Sequence, residues 1–327
     1  MITLGIETSC DETSAAVVKD GKKVLANEVA SSLKFHQKYG GVIPEIASRL
    51  QLETITEVTR SALQDARVKL KDIGLISVTS GPGLLGSLLV GISFAKALSL
   101  SLGIPLLGVN HVYSHFYANF LNRENIRLPF VALVVSGGHT SLFYLKDFDK
   151  IELLGSTHDD ACGEAFDKVA KILNLGYPGG PPIEKLALKG DPKSIKFNCS
   201  VSKSALDFSF SGIKTAVLYC VKNKKISASK KQDICASFQE AVVDTLVKKA
   251  VLACKLKKVN QLLLGGGVVV NNYLRKKFTQ AARDYNLKCY FPAKEFCMDN
   301  AAMVAGLGTR LFKKGHQSDL YLNLDLD

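Results

Sequence analysis

The same order of elements occurs twice along this chain, and this recurrence constrains the fold more than any other feature. In the first half, a predicted strand at 2–7 ends in the polar turn Thr8–Ser14 and returns as a second strand, and a later strand at 74–79 leads through a glycine-rich loop into a helix. A glycine-rich loop between a strand and a helix N-terminus suits an anion, although such loops also serve close packing. The pattern predicts an α/β fold.

The second half repeats this pattern with different residues. The predicted strand 130–135 ends in the turn Ser136–Ser141, and the strand 261–264 runs into three glycines before a helix that begins near Asn271. Two similar α/β halves, each with a phosphate-facing turn, favour the actin-like architecture of sugar kinases and heat-shock ATPases, with a nucleotide in the cleft between two domains. A plain doubly wound sheet also fits the pattern.

Length supports two domains, because the chain has 327 residues and a domain usually has about 100–200. We place the first domain at 1–125 and the second at 126–298. The C-terminal helix, within 299–327, is expected to pack back on the first domain.

Composition and local pattern exclude several classes of protein. The N-terminal residues lack a basic segment, so they do not form a secretory signal. The longest uncharged stretch, Ile73–Ala95, has the length of a membrane span but contains a Gly-Pro-Gly turn, which favours a strand, a tight loop and a helix. Eight cysteines form no CxxC pair, as is typical of reduced thiols. We therefore expect a cytoplasmic protein with no membrane contact.

Positive charge is concentrated in one segment. The chain has a net charge of +12, and Lys185–Lys258 contains sixteen lysines against five acidic residues. This excess predicts either a solvated surface or contact with an anionic partner, with nucleic acid first among such partners. Because the segment contains no arginine, its lysines are expected to contact phosphates rather than read bases.

Two histidines have the spacing of metal ligands. His111 and His115 are four residues apart and share one face if the segment is helical. Val112 occupies the place of the glutamate that serves as general base in zinc proteases. A metal site and two buried, satisfied histidines are equally compatible with this spacing. Asp299 offers a third ligand, although its position before a helical segment also suits an N-cap.

A second group of candidates surrounds a rigid loop. Asp167 lies beyond the first turn of a predicted helix, where interaction with the helix dipole fades. The following segment, Gly176–Glu184, alternates glycine and proline, which fixes the shape of the backbone. We interpret this loop as the wall of a ligand pocket.

Taken together, the motifs resemble one family along nearly the whole chain. They include GIETSCDET at 5–13, NHVYSH at 110–115, LVVSGGHT at 133–140, GEAFDKVAKILNLGYPGGP at 163–181 and MDNAAM at 298–303. In this order they are similar to the bacterial-type tRNA threonylcarbamoyladenosine-forming transferases, formerly called the O-sialoglycoprotein endopeptidase or glycoprotease family.

The resemblance implies a fold, an activity and a set of site residues. The fold is actin-like, and the activity is transfer of a threonylcarbamoyl group from threonylcarbamoyl-AMP to the exocyclic amine of the adenosine beside the anticodon, in tRNAs that read codons starting with adenine. It implies one divalent metal, with Fe²⁺ favoured over Zn²⁺, at His111, His115 and Asp299. The implied ligand site, where ATP or ADP is also possible, consists of Val134, Val135, Ser136, Gly137, Gly138, Asp167, Gly180, Glu184 and Asn271.

The resemblance also implies partners. These are tRNA, a catalytically degenerate paralogue that forms a heterodimer, a small P-loop ATPase, and a separate synthase that supplies threonylcarbamoyl-AMP. The chain departs from the family at Gln51, where a histidine is usual, and in its acidic C-terminal end, 321–327.

The chemistry is acyl transfer to a weak amine, which needs a group to accept a proton. Asp11 and Glu12, in the first polar turn, are our candidates, and local hydrogen bonding of the turn is the alternative reading. The rival functions are a metal-dependent glycoprotease, a non-catalytic ATP-binding scaffold and a sugar-kinase-like phosphotransferase. The missing glutamate argues against the glycoprotease, and the retained metal ligands argue against the non-catalytic scaffold. The lack of an evident catalytic aspartate argues against the phosphotransferase.

Overall fold

The computed structural model describes residues 1–200 and 204–325. Lys203 of the lysine-rich segment and Asp327 of the acidic C-terminal end lie outside the described residues. The chain divides into two compact units, Met1–Ile126 with Pro292–Asp327, and Arg127–Phe291. The chain thus returns to unit 1 at Pro292 rather than at the expected 299. One reason is that the carbonyl of the buried Phe296 accepts a hydrogen bond from Asn300 Nδ2 at 3.2 Å, which ties this segment to the last helix.

Unit 1 contains a five-stranded mixed sheet in the order β3-β2-β1-β4-β5. The first three strands form an antiparallel meander, and β4 and β5 run parallel to β1. The strands are β1 Ile2–Glu7, β2 Glu12–Lys19, β3 Lys23–Ser31, β4 Leu75–Gly81 and β5 Leu106–Asn110. The helices of this unit are α1 Leu33–Gln37, α2 Pro44–Asp65, α3 Leu85–Leu102, α4 His111–Tyr117 and, from the C-terminal segment, α10 Ala301–Phe312.

Unit 2 has a sheet of the same topology, in the order β10-β9-β6-β7-β8. Its strands are β6 Phe130–Val135, β7 Thr140–Asp147, β8 Lys150–Ser156, β9 Gln261–Gly265 and β10 Lys288–Tyr290. Its helices are α5 Cys162–Ile172, α6 Gly180–Ala187, α7 Ser211–Val221, α8 Ala228–Lys257 and α9 Asn272–Asp284. The predicted recurrence of elements is therefore a recurrence of whole sheets, and the α/β fold class is confirmed.

The uncharged stretch from Ile73 forms a strand, a tight loop and a helix, as the sequence predicts. Among the described residues, only α3 is long and apolar enough to cross a membrane by those two criteria alone. One face of α3, with Leu88, Ile92 and Ala95, is buried and packs on β4. Within unit 1 this helix contributes to the hydrophobic core.

The C-terminal segment is an integral part of unit 1. Helix α10 packs on β1, β2 and β4, and Gly5 permits the approach because any side chain there would strike the carbonyl of Ala301. Beyond the helix, Ser318 pairs with Leu106 of the edge strand, and the Asp325 N–H donates to the carbonyl of Ser80 at 2.8 Å. The acidic end of the chain, as far as Asp325, therefore lies along β5 and the end of β4.

Candidate functional site

The two histidines lie on α4, which begins directly after β5. Asn110 ends the strand and caps the helix, because its side chain accepts the N–H of Tyr113 at 3.1 Å. His111 and His115 lie one turn apart on the same face, with ring centroids 4.7 Å apart and planes at 75°. Both side chains are buried. The strand-to-helix junction thus delivers two imidazoles into the interior of unit 1.

Asp299 completes a cluster with these histidines. Its Oδ1 lies 3.3 Å from His115 Nε2 and 3.7 Å from His111 Nε2. The alternative reading of Asp299 as the N-cap of α10 is wrong, because the capping side chain is Asn300, which accepts the Met303 N–H at 3.1 Å. The carboxylate of Asp299 is directed towards the histidines instead.

The cluster fits a divalent metal. One ligand atom from each of the three residues lies within 4.8 Å of the other two. Both ring nitrogens of His115 are buried and form no hydrogen bond within 1–200 and 204–325, so hydrogen bonding alone does not explain this histidine. Two imidazoles and one carboxylate form a donor set that suits Fe²⁺ and Zn²⁺, and three protein ligands leave coordination positions for another molecule.

Glu7 was not among the residues that the sequence singled out, yet it belongs to this cluster. It ends β1 and is only 1% exposed. Its Oε2 lies 3.1 Å from His111 Nδ1, and Ser9 Oγ lies 3.0 Å from the same nitrogen. A charged residue at the end of an apolar strand was the available signal, since a buried carboxylate needs a partner.

Asp11 lies in the turn between β1 and β2, and Glu12, the first residue of β2, lies within electrostatic range of Asp299. Ser31 Oγ donates to Glu12 Oε1 at 3.3 Å. Burial, together with the negative charges of Asp299 and Asp11, raises the pKa of Glu12 to about 10. Positive charge at the cluster would lower this pKa and favour the carboxylate form, which is the form that accepts a proton.

Two features position this turn. Gln51 Nε2 donates to the carbonyls of Cys10 at 3.0 Å and Glu12 at 2.9 Å, so this residue braces the turn from α2. The glycine-rich loop after β4 packs against the same turn, because the Leu84 N–H donates to the carbonyl of Ser9 at 2.7 Å and a Cβ at Gly83 would lie 2.5 Å from that oxygen. Close packing, rather than anion binding, explains this loop.

In unit 2, the turn Ser136–Gly138 has a different character. It is closed by the Ser136 N–H to the carbonyl of His139 at 2.8 Å and by the His139 N–H to Ser136 Oγ at 3.0 Å. A Cβ added at Gly137 or Gly138 would meet no protein atom within 4 Å, so both glycines face open space. By contrast, the side chains of Val134 and Val135 are fully buried in β6, which leaves only backbone atoms for a ligand.

Asp167 and Gly180 lie beside each other through the rigid loop. Asp167 Oδ1 accepts the Gly179 N–H at 2.6 Å, and a Cβ at Gly179 would lie 2.6 Å from the carbonyl of Phe166. Burial raises the pKa of Asp167, although the bond from Gly179 opposes that effect. At Gly180 a Cβ would meet no protein atom within 4 Å. The loop holds one glycine against α5 and exposes the next.

Glu184 and Asn271 meet at the beginning of α9. Glu184 Oε1 accepts the Asn272 N–H at 2.7 Å, and Asn271 Oδ1 accepts the Leu274 N–H at 2.8 Å as the helix cap. Asn271 Nδ2 also donates to Gln239 Oε1 at 2.8 Å. These side chains have structural partners, and contacts through α5, α6 and α9 connect them to the Ser136 turn.

The lysine-rich segment divides into paired and unpaired residues. Lys214, Lys248 and Lys257 form ion pairs with acidic side chains, and Lys231 donates to the carbonyl of Leu173 at 2.9 Å. Six exposed lysines that form no ion pair in the described part of the chain lie around the first turn of α8, namely Lys189, Lys193, Lys222, Lys224, Lys225 and Lys230. Other exposed lysines of the segment lie elsewhere, among them Lys255 and Lys258 at the other end of α8. The loop after α7 ends at Ser227, which caps α8 by accepting the Lys230 N–H at 3.1 Å.

The sequence of this chain is similar to those of known proteins. The sequence profile of the tRNA N6-adenosine threonylcarbamoyltransferases matches residues 23–306. The protein of that name from Thermosipho africanus is 53% identical over 320 residues, covering 98% of this chain and 97% of the relative. The one from Dictyoglomus turgidum is 48% identical over 331 residues, covering 100% and 98%.

Solved structures agree on the fold. Component A of the (R)-2-hydroxyglutaryl-CoA dehydratase of Acidaminococcus fermentans is similar with a TM-score of 0.55 at 16% identity, over 95% of this chain and 98% of that one. HypF from T. kodakarensis is similar with a TM-score of 0.67 at 16% identity, over 96% of this chain and 48% of that one. Identity this low shows an actin-like fold alone. The full-length similarity to the curated relatives shows more, and the chain belongs to the tRNA N6-adenosine threonylcarbamoyltransferase family.

Proposed function

We propose that this protein transfers a threonylcarbamoyl group from threonylcarbamoyl-AMP to the exocyclic amine of the adenosine beside the anticodon, in tRNAs that read codons starting with adenine. The observation that carries the proposal is full-length membership of the family together with the assembled cluster of His111, His115 and Asp299. In the reaction, the amine nitrogen bonds to the carbamoyl carbon, the bond from that carbon to the phosphate oxygen breaks, and AMP leaves. The nitrogen also loses one proton.

His111, His115 and Asp299 would hold one Fe²⁺ or Zn²⁺ ion, which supplies Lewis-acid stabilisation of negative charge when bound. Asp11 and Glu12 are our candidates to accept the proton of the amine. Positive charge at the cluster would favour the ionised form of Glu12, because burial and the neighbouring carboxylates raise the pKa of its carboxyl.

The adenylate part of the donor is assigned to unit 2. The open space at Gly137, Gly138 and Gly180 allows a phosphate or ribose to approach the backbone closely, as glycine permits. Asp167 is half-buried beside Gly179 and has the chemistry to accept hydrogen bonds from ribose hydroxyls. ATP or ADP would use the same surface.

The tRNA is assigned to the unpaired lysines around the first turn of α8. Lys189 and Lys193 flank a loop that is tied to α8 through the Asp191 N–H and Asp233 Oδ1, 3.0 Å apart, so the loop lysines lie beside those of the helix. The positive end of the helix dipole adds to their charge. Such a surface suits a polyanion such as tRNA.

Protein partners are also part of the proposal. Leu52 on α2 and Leu85 and Leu89 on α3 are exposed although their helices pack together. An apolar face of this kind suits a heterodimer with the degenerate paralogue. A small P-loop ATPase and a separate threonylcarbamoyl-AMP synthase complete the cytoplasmic system.

The glycoprotease alternative finds no support at the cluster. Val112 stands where a zinc protease has its glutamate, and its side chain is buried. Glu7 contacts Nδ1 of His111, the ring nitrogen opposite the one that faces Asp299. This carboxylate is therefore not placed to activate a water molecule at the metal position.

The test is reconstitution. The protein is incubated with its partners, the synthase, threonine, bicarbonate, ATP and unmodified tRNA, and the nucleosides are analysed by mass spectrometry. Threonylcarbamoyladenosine is expected with the wild-type chain and is expected to form about a thousandfold more slowly with His111→Ala/His115→Ala. Formation of the nucleoside without this chain, or at an equal rate with the double variant, would contradict the proposal.

A further inference from the structure

Glu7 is the most completely bonded buried acid of unit 1. Its Oε1 accepts the N–H of Ser9 at 2.5 Å, and its Oε2 accepts the hydroxyl of Thr79 at 2.5 Å. Oε2 also lies 3.1 Å from His111 Nδ1. Three donors from β4, α4 and the first turn therefore converge on one carboxylate at the end of β1.

Such a group is expensive to bury, since removal of an ion from water costs several kcal/mol even after relaxation of the protein. The hydrogen bonds from Ser9 and Thr79 and the contact with His111 offset this cost. A valine occupies the matching place in unit 2, at Val135, so the sheet itself does not require an acid there.

The two histidines of the cluster differ in their support. Nδ1 of His111 faces Glu7 and Ser9, and Nε2 faces Asp299. His115 has no comparable partner, because neither of its ring nitrogens forms a hydrogen bond within the described residues. A carboxylate on the far nitrogen of a ligating imidazole fixes its tautomer and raises its basicity.

We propose that Glu7 is a positioning residue of the metal cluster, whose carboxylate accepts the Nδ1–H of His111 and so presents the Nε2 lone pair to the metal. Thr79 and Ser9 hold that carboxylate in place. His111 is consequently the stronger of the two histidine ligands. This inference rests on the metal assignment in the proposed function.

The experiment measures metal binding rather than turnover. Metal-free protein is titrated with Co²⁺ and Zn²⁺, and dissociation constants and the Co²⁺ absorption spectrum are recorded for the wild type, Glu7→Gln and Thr79→Val. Glu7→Gln is expected to weaken binding about 10–100-fold and to shift the spectrum, as loss of an outer partner typically does. Thr79→Val, which removes only the hydroxyl that holds Glu7, is expected to weaken binding less. Asp160→Asn in unit 2 removes a similar charge and is the matched control, with no change expected.

A second measurement separates positioning from mere stability. In the Zn²⁺ protein, nitrogen NMR is expected to show His111 protonated at Nδ1, and this signal is expected to change in Thr79→Val. Unchanged affinity and spectrum in a folded Glu7→Gln would overturn the inference, and if that variant does not fold, an unchanged affinity and nitrogen signal in Thr79→Val would do the same. If the wild type binds no metal, the metal assignment fails as well. If the wild type and the variants bind metal equally, only the positioning role of Glu7 is contradicted.

Discussion

The first polar turn lies at the same place in the matching sheets of unit 1 and unit 2. The two turns nevertheless have different roles. β1 pairs with β2 over six residues and ends with Glu7 opposite Ser14, and β6 pairs with β7 over six residues and ends with Val135 opposite Thr140. Six residues lie between the two members of this last pair in unit 1, and four in unit 2. Strand geometry is conserved between the halves while the turn chemistry differs.

Unit 1 uses its turn to hold side chains. Glu7 contacts His111, and His111 and His115 both face Asp299, so function there depends on charge and on buried partners. Unit 2 uses its turn to expose backbone, because Gly137 and Gly138 have no neighbour that a side chain would strike. One sheet topology can therefore carry a site built from side chains and a site built from backbone atoms. The two sites should respond to different substitutions.

The largest effect should follow from loss of the unit 1 ligands. His111→Ala/His115→Ala is expected to remove the metal and to lower the rate of tRNA modification by about a thousandfold, because Lewis-acid stabilisation supplies several kcal/mol. Metal content by mass spectrometry and the rate with reconstituted partners are the measurements. Full metal content in the folded double variant would show that unit 1 is not a side-chain site of the kind described.

The next effect concerns the backbone of unit 2. Gly138→Val is expected to weaken adenylate binding at least about 10-fold, because the side chain fills space for the phosphate, while the free energy of unfolding changes by less than about 0.5 kcal/mol. Calorimetric titration with AMP and denaturant unfolding measure the two quantities. Unchanged AMP affinity would place the adenylate elsewhere.

Gly163→Val is the matched control for that prediction. A Cβ at Gly163 would lie 2.6 Å from the carbonyl of Ser136, so this substitution is expected to destabilise unit 2 by about 1–3 kcal/mol. The two glycines are neighbours in the structure, and only one of them faces open space. Equal destabilisation by both variants would contradict the distinction between packing and ligand space.

A smaller effect is expected from the lysines of unit 2. Reversal of Lys224, Lys225 and Lys230 to Glu should weaken tRNA binding several-fold at low salt, reduce its salt dependence and leave AMP binding unchanged. Lys231 is excluded because its ammonium group is bonded to Leu173. The control is reversal of Lys255 and Lys258, at the other end of α8. Filter binding in the assembled complex is the measurement, and wild-type tRNA affinity in the charge-reversed variant would contradict the assignment of tRNA to this surface.

The smallest effect concerns a structural acid of unit 2. Burial acts to raise the pKa of Asp159, but hydrogen bonds from Ser209, Phe210 and Ser211 outweigh it and hold the pKa below its ordinary value of 3.8. A depressed pKa in the folded state contributes stability above pH 3.8 that is lost as the pH falls through the folded value. Because the carboxylate is exposed and screened by solvent, Asp159→Asn should cost less than about 1 kcal/mol near pH 7, and progressively less below pH 3.8. Urea unfolding across this range is the measurement, and a constant difference would contradict it.

The duplicated order of elements can be predicted from the sequence alone, because alternating apolar strands and glycine-bearing turns are local signals. The sequence also determined the histidine pair, since a four-residue spacing places two side chains on one helical face wherever the helix packs. The uncharged stretch from Ile73 was predicted as strand, loop and helix because a Gly-Pro-Gly turn breaks a continuous helix.

Tertiary structure decided what these segments do with one another. Asp299 is 184 residues from His115, and only the packing of α10 on the sheet brings its carboxylate to 3.3 Å from the imidazole. The partners of Glu7, Thr79 and His111, lie on distant segments, and so does Leu173, whose carbonyl accepts a hydrogen bond from Lys231. Side-chain partners across long sequence separations depend on how elements pack, and the local pattern of a sequence does not encode that information.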